Sequence, residues 1–226
     1  MKFIKRQQSG FTLVEIAIVL VIIGLLLGGV LKGQEMIENS RIKSIVTDMR
    51  GVSAAFTGYF DRYHALPGDE LAATATARGW GALGGGNADG VLALPVADTF
   101  LNASAEHAAM WQVLRASGFL AGNPLSVGLA GLPRASTGGL IGAATTPYGL
   151  LGSSVCVSGL SHKQASGVDV IIDGALPVTN IGNNVGDARG AANATNPLAP
   201  TGPAAPGAVA YNEAAVTTWT MCRRLQ

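Results

Sequence analysis

A single acidic side chain, that of Glu15, interrupts the apolar residues 11–31 near the start of the chain. About 20 apolar residues are enough to cross a bilayer as a helix. A carboxylate inside such a segment loses most of its hydration, and it is usually retained because a partner neutralises it. The sequence therefore predicts that Glu15 is kept for a partner, the alternative being a lone acid that the membrane tolerates.

No arrangement of side chains typical of a catalytic site is found elsewhere in the sequence. His64, His107 and His162 are scattered and do not form the spacing of a zinc site. The sequence contains neither Gly-x-Ser-x-Gly nor a Walker motif. Asp169 and Asp173 lie in a segment that ends in the turn dipeptide Asp173-Gly174, and we expect them to supply turn hydrogen bonds rather than acid–base chemistry. We therefore expect a protein that is not an enzyme.

Side chains with oxygen donors occur in two glycine-bearing loops, at Asp69, Glu70, Asn87 and Asp89. Calcium takes six to eight oxygen ligands, often from flexible loops, so convergence of the two loops would form a calcium site. The alternative is that the same side chains only satisfy backbone groups in turns. Both interpretations remain open, and no other cofactor is expected.

The charges around the apolar segment predict its orientation in a membrane. The preceding residues carry Lys2, Lys5 and Arg6 but no acid, and positive charge is retained on the cytoplasmic side. A secretory signal peptide would place a small-residue cleavage site after the apolar segment, but Gly10 lies before it. We expect a single-pass membrane protein with a cytoplasmic N-terminus and a C-terminal head on the other side; the resemblance described next implies that this membrane is the inner one and that the head is periplasmic.

Residues 6–15, with the sequence RQQSGFTLVE, resemble the type IV prepilin signature, a short basic leader ending in Gly before Phe-Thr-Leu-x-Glu. The resemblance implies that a prepilin peptidase cuts between Gly10 and Phe11 and methylates the new amine. It also implies that Glu15 pairs with the Phe11 amine of a neighbouring subunit inside a filament. The implied partners are further copies of the chain, the peptidase, the membrane and an inner-membrane assembly platform.

Two cysteines, Cys156 and Cys222, lie in the part of the chain expected outside the cytoplasm. An even number of cysteines in an oxidising compartment predicts a disulfide, and type IV pilins often tie the C-terminal segment to the head in this way. Two buried free thiols are the alternative. A bond closing a loop of about 67 residues would stabilise the head by roughly 4 kcal/mol.

Apolar residues at spacings of three and four extend the helix beyond the membrane segment. They predict one helix over about residues 12–63, whose second half has a single apolar stripe that the head must cover. The stripe consists of Ile42, Ile45, Val46, Met49, Val52, Phe56, Tyr59, Phe60 and Tyr63. Pro67-Gly68 is expected to end the helix and to begin the head.

The head is predicted to contain a short helix over residues 103–117 and an exposed loop over residues 191–208. Strands are predicted for three segments rich in β-branched residues, namely 155–157, 168–173 and 216–222. A small antiparallel sheet against the long helix gives an α+β architecture. This is also the pilin fold that the resemblance implies.

Four segments follow from this pattern: a leader at 1–10, a membrane and filament-core helix at 11–33, an amphipathic half-helix at 34–63, and a globular head at 64–226 with a disulfide-closed C-terminal region. The net charge is +1, and it becomes −2 once the three basic residues of the leader are removed. Outside the leader and the helix, the one basic run is Arg223-Arg224. No dedicated nucleic-acid site is therefore expected.

Three functions are compatible with these features. The first is a type IV pilin, whose filament would serve adhesion, motility or DNA uptake outside the cell. The second is a pseudopilin of a type II secretion system, whose filament would remain in the periplasm. The third is a membrane-anchored periplasmic binding domain. The Gly10–Phe11 boundary and the amphipathic stripe favour the first two, and the sequence does not separate them.

Overall fold

The computed structural model of the chain describes residue 10, residues 12–212 and residues 217–225. Contacts divide the chain into two units, Met1–Ser40 and Arg41–Gln226. The helices are α1 (Leu13–Tyr63), α2 (Ala72–Ala77), α3 (Ala105–Ala116) and α4 (His162–Asp173). The strands are β1 (Ile141–Thr145), β2 (Ser153–Leu160), β3 (Ala188–Asn193) and β4 (Thr218–Arg224). A long N-terminal helix followed by a small sheet confirms the predicted α+β, pilin-like architecture.

Helix α1 has two different surfaces along its length. From Leu13 to Leu31 its large apolar side chains are exposed, whereas from Ile42 onward one stripe is buried. Seven of the residues predicted for the stripe are in the core: Ile42, Ile45, Val46, Met49, Val52, Phe56 and Tyr59. Tyr63 is partly buried, but Phe60 is 43% exposed, so its assignment to the stripe was wrong. Phe60 lies four positions after the buried Phe56, where helical spacing predicts burial, but the head covers it only in part.

The four strands form one antiparallel sheet in the order β1-β2-β4-β3. The predicted strands at 155–157 and 216–222 are found as β2 and β4, although Val216 lies outside the described residues. Strands β1 and β3 were not predicted, because they are built mainly of alanine and glycine. These small residues are needed for close packing: a Cβ on Gly142 would lie 2.0 Å from the Thr99 carbonyl oxygen.

The prediction of a strand at 168–173 was wrong, because these residues belong to helix α4. A capping box begins the helix: the Ser161 side chain accepts the Gln164 amide, and the Gln164 side chain accepts the Ser161 amide. The buried residues Ala165, Val168 and Asp169 follow at helical spacing. The capping box and the helical spacing of the buried residues therefore favour a helix, although the β-branched residues of this segment had suggested a strand.

Helix α3 is found where the sequence predicted a helix, and its polar side chains organise the loops around it. The carboxylate of Glu106 accepts the amide of Ala93 at 2.6 Å, and the side-chain oxygen of Gln112 accepts the amide of Gly84 at 2.7 Å. The Arg115 side chain donates to the carbonyl of Ala121. All three polar side chains are buried. The long loops of the head are therefore anchored to one central helix.

Candidate processing and assembly site

The candidate processing site lies just before helix α1. Gly10 is exposed, and no other part of the described chain comes within 4 Å of the position that a Cβ would take there. Phe11, the predicted new N-terminus, lies outside the described residues. Cleavage between Gly10 and Phe11 thus stays a prediction, and exposure of Gly10 is consistent with access by a peptidase.

Glu15 is hydrogen-bonded to the first turn of its own helix. The amide and the hydroxyl of Thr12 both donate to Oε2 of Glu15 at 2.8 Å, and the amide of Glu15 donates to Oγ1 of Thr12 at 3.3 Å. This reciprocal arrangement is a capping box at the start of α1. The Thr-x-x-Glu spacing that signals it is present in the sequence but was not recognised above.

The surroundings of Glu15 are apolar. Leu13 is 91% exposed, and Val14, Ile16 and Ile18 are also mainly exposed. Among the described residues, α1 is the helix long and apolar enough to cross a membrane. Within the described residues, the hydrogen bonds that the Glu15 carboxylate accepts are donated by Thr12. This arrangement orients one carboxylate oxygen but supplies no counter-charge.

Cys156 and Cys222 are joined by a disulfide and are fully buried. They face each other directly in the register of β2 and β4, with their Cα atoms 4.0 Å apart. The bond therefore fixes the last strand beside β2. The two cysteines are 66 positions apart, so the bond also closes a loop that contains α4 and β3.

Of the four oxygen-bearing residues proposed for calcium, Glu70 is bound to an arginine. Arg78 makes two bonds to its carboxylate, at 2.6 and 2.7 Å, and Tyr59 donates to the same group. Burial alone would raise the pKa of Glu70, but the hydrogen bonds from Arg78 and Tyr59 lower it overall. Arg78 also lies over the rings of Tyr63 and Trp80. This cluster ties the end of α1 to the start of the head.

The other three residues, Asp69, Asn87 and Asp89, lie together and bond mainly to turn amides. Asp69 accepts the amides of Asp89 and Gly90, and Asp89 accepts the amide of Val91 and the side chain of Asn87. Within the described ranges, no group of three or more His, Cys, Asp or Glu residues is placed to hold a metal. These contacts favour the alternative of turn hydrogen bonds, and calcium binding stays a prediction.

The three histidines lie on different parts of the fold. His64 follows α1, His107 is on α3, and His162 is the first residue of α4. His107 is fully buried, and burial lowers its pKa to about 4, so it is neutral near pH 7. Within the described residues, no helix or strand therefore carries two histidines that could bind a metal together.

The family described as the prokaryotic N-terminal methylation motif matches residues 5–31. The matched range includes Gly10, Phe11 and Glu15, together with the exposed apolar half of α1. No curated protein and no solved structure matches the chain. Proteins with this motif are structural rather than catalytic, and a long apolar N-terminal helix fits a precursor anchored in the inner membrane. The chain thus carries at its N-terminus the methylation motif, or class III signal peptide, that is typical of type IV pilins and pseudopilins.

Proposed function

We propose that the chain is a structural subunit of a type IV pilus, held in the inner membrane before assembly and polymerised through its N-terminal helix. The observation that carries this proposal is Glu15, a carboxylate on the exposed apolar surface of α1 and inside the matched motif. A surface of this composition is stable in lipid or against other apolar helices, but not in water. Such a helix can lie in lipid before assembly and can pack against the apolar helices of other subunits once it is in the filament.

Processing would create a positively charged partner for Glu15. A prepilin peptidase that cuts after Gly10 leaves an amine on Phe11, and methylation of that amine retains its positive charge. The amine of one subunit then neutralises Glu15 of its neighbour. Because a charge buried without its partner is strongly unfavourable, subunits add only in the register that brings amine and carboxylate together.

The contacts of Thr12 support this role for Glu15. Both of its bonds are made to Oε2, and they hold the carboxylate in a fixed orientation at the start of α1. An amine can then bind at Oε1 without disrupting the cap. Thr12 acts as a positioning residue in this proposal, whereas Glu15 makes the contact between subunits.

The buried stripe and the disulfide keep the head folded on the second half of α1. The second half of α1 is covered on one side by the head, from Ile42 to Tyr59. The Cys156–Cys222 bond keeps the C-terminal strand on the same head. Such a subunit presents a stable folded domain on the outside of a helical core, where it would serve adhesion, motility or DNA uptake.

A pseudopilin of a type II secretion system is the second candidate, because the matched motif is equally typical of that class. A pseudopilin would use the same cleavage and the same Glu15 contact. The difference lies in the destination of the filament, since a pseudopilus remains in the periplasm and drives secretion.

The destination can be measured in the native host at native expression level. We expect mechanical shearing to release filaments that contain this chain, and antibodies against the head to label fibres outside the cell by electron microscopy. A strain in which Glu15 is replaced by leucine serves as the control and should release none. If the chain remains in the envelope while its deletion blocks protein secretion, the pseudopilin is the correct assignment and the pilus is not.

A further inference from the structure

Residues 207–212 lie against the head just before the last strand and are held by two asparagines. The side chain of Asn183 donates to the carbonyl of Gly207 and accepts the amide of Val209, both at 3.0 Å. Asn180 exchanges two bonds with the main chain of Tyr211. These groups do not titrate, so they hold the segment equally at any physiological pH.

Tyr211 adds a contact that can titrate. Its ring packs against Trp219 of β4 with the centroids 4.6 Å apart, and its hydroxyl donates to Oδ2 of Asp169 on α4 at 2.6 Å. Tyr211 is 5% exposed and Asp169 is 2% exposed. The segment is therefore joined to α4 through one buried carboxyl group.

The charges near Asp169 do not neutralise it. Asp173, one turn further along α4, is a second acid, and it accepts the amides of Asp187 and Ala188. On the loop after α4, the main chain at Gly182 is so close that a Cβ there would lie 2.7 Å from Oδ2 of Asp169. On β4, Trp219 supplies an aromatic ring.

The nearby basic residues are directed at other acids. Arg224 of β4 is paired with Asp187. Arg223 interacts electrostatically with Asp187 and Asp173, and with Arg50 of α1. Burial raises the pKa of Asp169 to about 6; the bond from Tyr211 opposes this increase, and Asp173 adds to it. Among the groups of the described residues that surround Asp169, none is a cation paired with it, so a proton can neutralise this carboxylate.

We propose that Asp169 and Tyr211 form a proton-operated latch, which holds residues 207–212 against α4 when Asp169 is protonated and loosens when Asp169 is ionised. A protonated carboxyl group still has an acceptor oxygen for the Tyr211 hydroxyl. An ionised one would be buried beside the neutral Tyr211 donor and the acidic Asp173, which is unfavourable. The inference concerns the head alone and does not depend on the proposed filament.

The direction of the pH effect follows from the raised pKa. A latched state that binds the proton more tightly than the open state is favoured as pH falls, and its extra stability is lost as pH rises through about 6. His107 acts in the opposite direction. Its pKa is lowered from 6.5 to about 4, so the stability it contributes is lost as pH falls through that interval. Global unfolding would mix the two effects, so a local measurement is required.

Amide hydrogen exchange of the full chain in detergent micelles provides that measurement. Labelling is carried out at pH 5.0 and at pH 7.5, for times scaled to the intrinsic exchange rate at each pH. We expect peptides covering residues 207–212 to be protected about tenfold more at pH 5.0, given an ordinary pKa for Asp169 in the open state. Peptides from β2, which lie outside the latch, should not show this increase.

Two matched variants assign the effect to Asp169. Asp169→Asn keeps the shape and the acceptor oxygen, and it should give the same protection of residues 207–212 at both pH values. Asp61→Asn makes the same change at an exposed acid on α1 and should retain the wild-type pH dependence. Equal protection of the wild-type segment at both pH values would overturn the proposal. An Asp169→Asn variant that keeps the full wild-type pH dependence would also overturn it. If that variant fails to fold, the comparison of the wild type at the two pH values still tests the proposal.

Discussion

Replacing Glu15 with leucine is expected to abolish filament formation while leaving the chain processed and inserted in the membrane. The leucine suits the exposed apolar surface around it, so insertion does not require the carboxylate. In the proposed filament, assembly requires it, because the amine of Phe11 in the next subunit would otherwise be buried without a counter-charge. We expect the yield of sheared filaments to fall by roughly a hundredfold or more, as measured by quantitative immunoblotting.

A second substitution separates the charge of Glu15 from its role in the helix cap. Glu15→Gln retains a side-chain oxygen that can accept both bonds from Thr12, but it removes the charge. We expect this variant to assemble as poorly as Glu15→Leu. Wild-type filament yield from Glu15→Gln would mean that the cap at the start of α1 is what matters. Wild-type yield from Glu15→Leu would contradict any role of Glu15 in assembly.

Loss of the disulfide is expected to cause the largest change in the stability of the head. Cys156→Ser removes a bond that closes a loop between residues 66 positions apart, which lowers the free energy of unfolding by about 4 kcal/mol in the chain-entropy model. Insertion of residues 13–31 should be unaffected. Urea denaturation in detergent, followed by the fluorescence of the head tryptophans, measures the change.

The double variant Cys156→Ser/Cys222→Ser provides the matched control. Since the bond is lost once whichever cysteine is replaced, the double variant should be close in stability to each single variant rather than twice as destabilised. A single variant within about 1 kcal/mol of the wild type would contradict the expected contribution. Full thiol labelling of both cysteines in the native, non-reduced protein would show that the bond is absent in solution.

The parts of the fold that could be predicted are those with a strong periodic pattern. The stripe from Ile42 to Tyr59 follows the helical period over several turns, and the β-branched residues of β2 and β4 recur at every second position, which is the period of a strand. Strand β3 has no β-branched residue and β1 has them only at its two ends, because the small side chains between allow close contact with neighbouring backbone. The small residues of β1 and β3 are required by residues that are distant in sequence, such as Thr99 beside Gly142 and Met221 beside Gly190.

The parts of the site that were missed depend on contacts between side chains. The Thr12–Glu15 cap could have been recognised from its spacing, since it is local. The bonds of Arg78 to Glu70, and of Tyr211 to Asp169, join residues 8 and 42 positions apart. No short sequence pattern predicts such pairs. The wrong strand at 168–173 has a similar origin, because Ser161 and Gln164 lie upstream of the β-branched run that was considered.

The most direct test of prepilin-type processing is the identity of the first residue of the mature chain. Protein purified from the native host is digested, and its N-terminal peptide is identified by mass spectrometry. We expect the chain to begin at Phe11 with one added methyl group on its amine, because cleavage after Gly10 creates the charge that Glu15 requires. An intact Met1, or a new N-terminus beyond Leu27, would contradict both the processing and the pairing of Phe11 with Glu15.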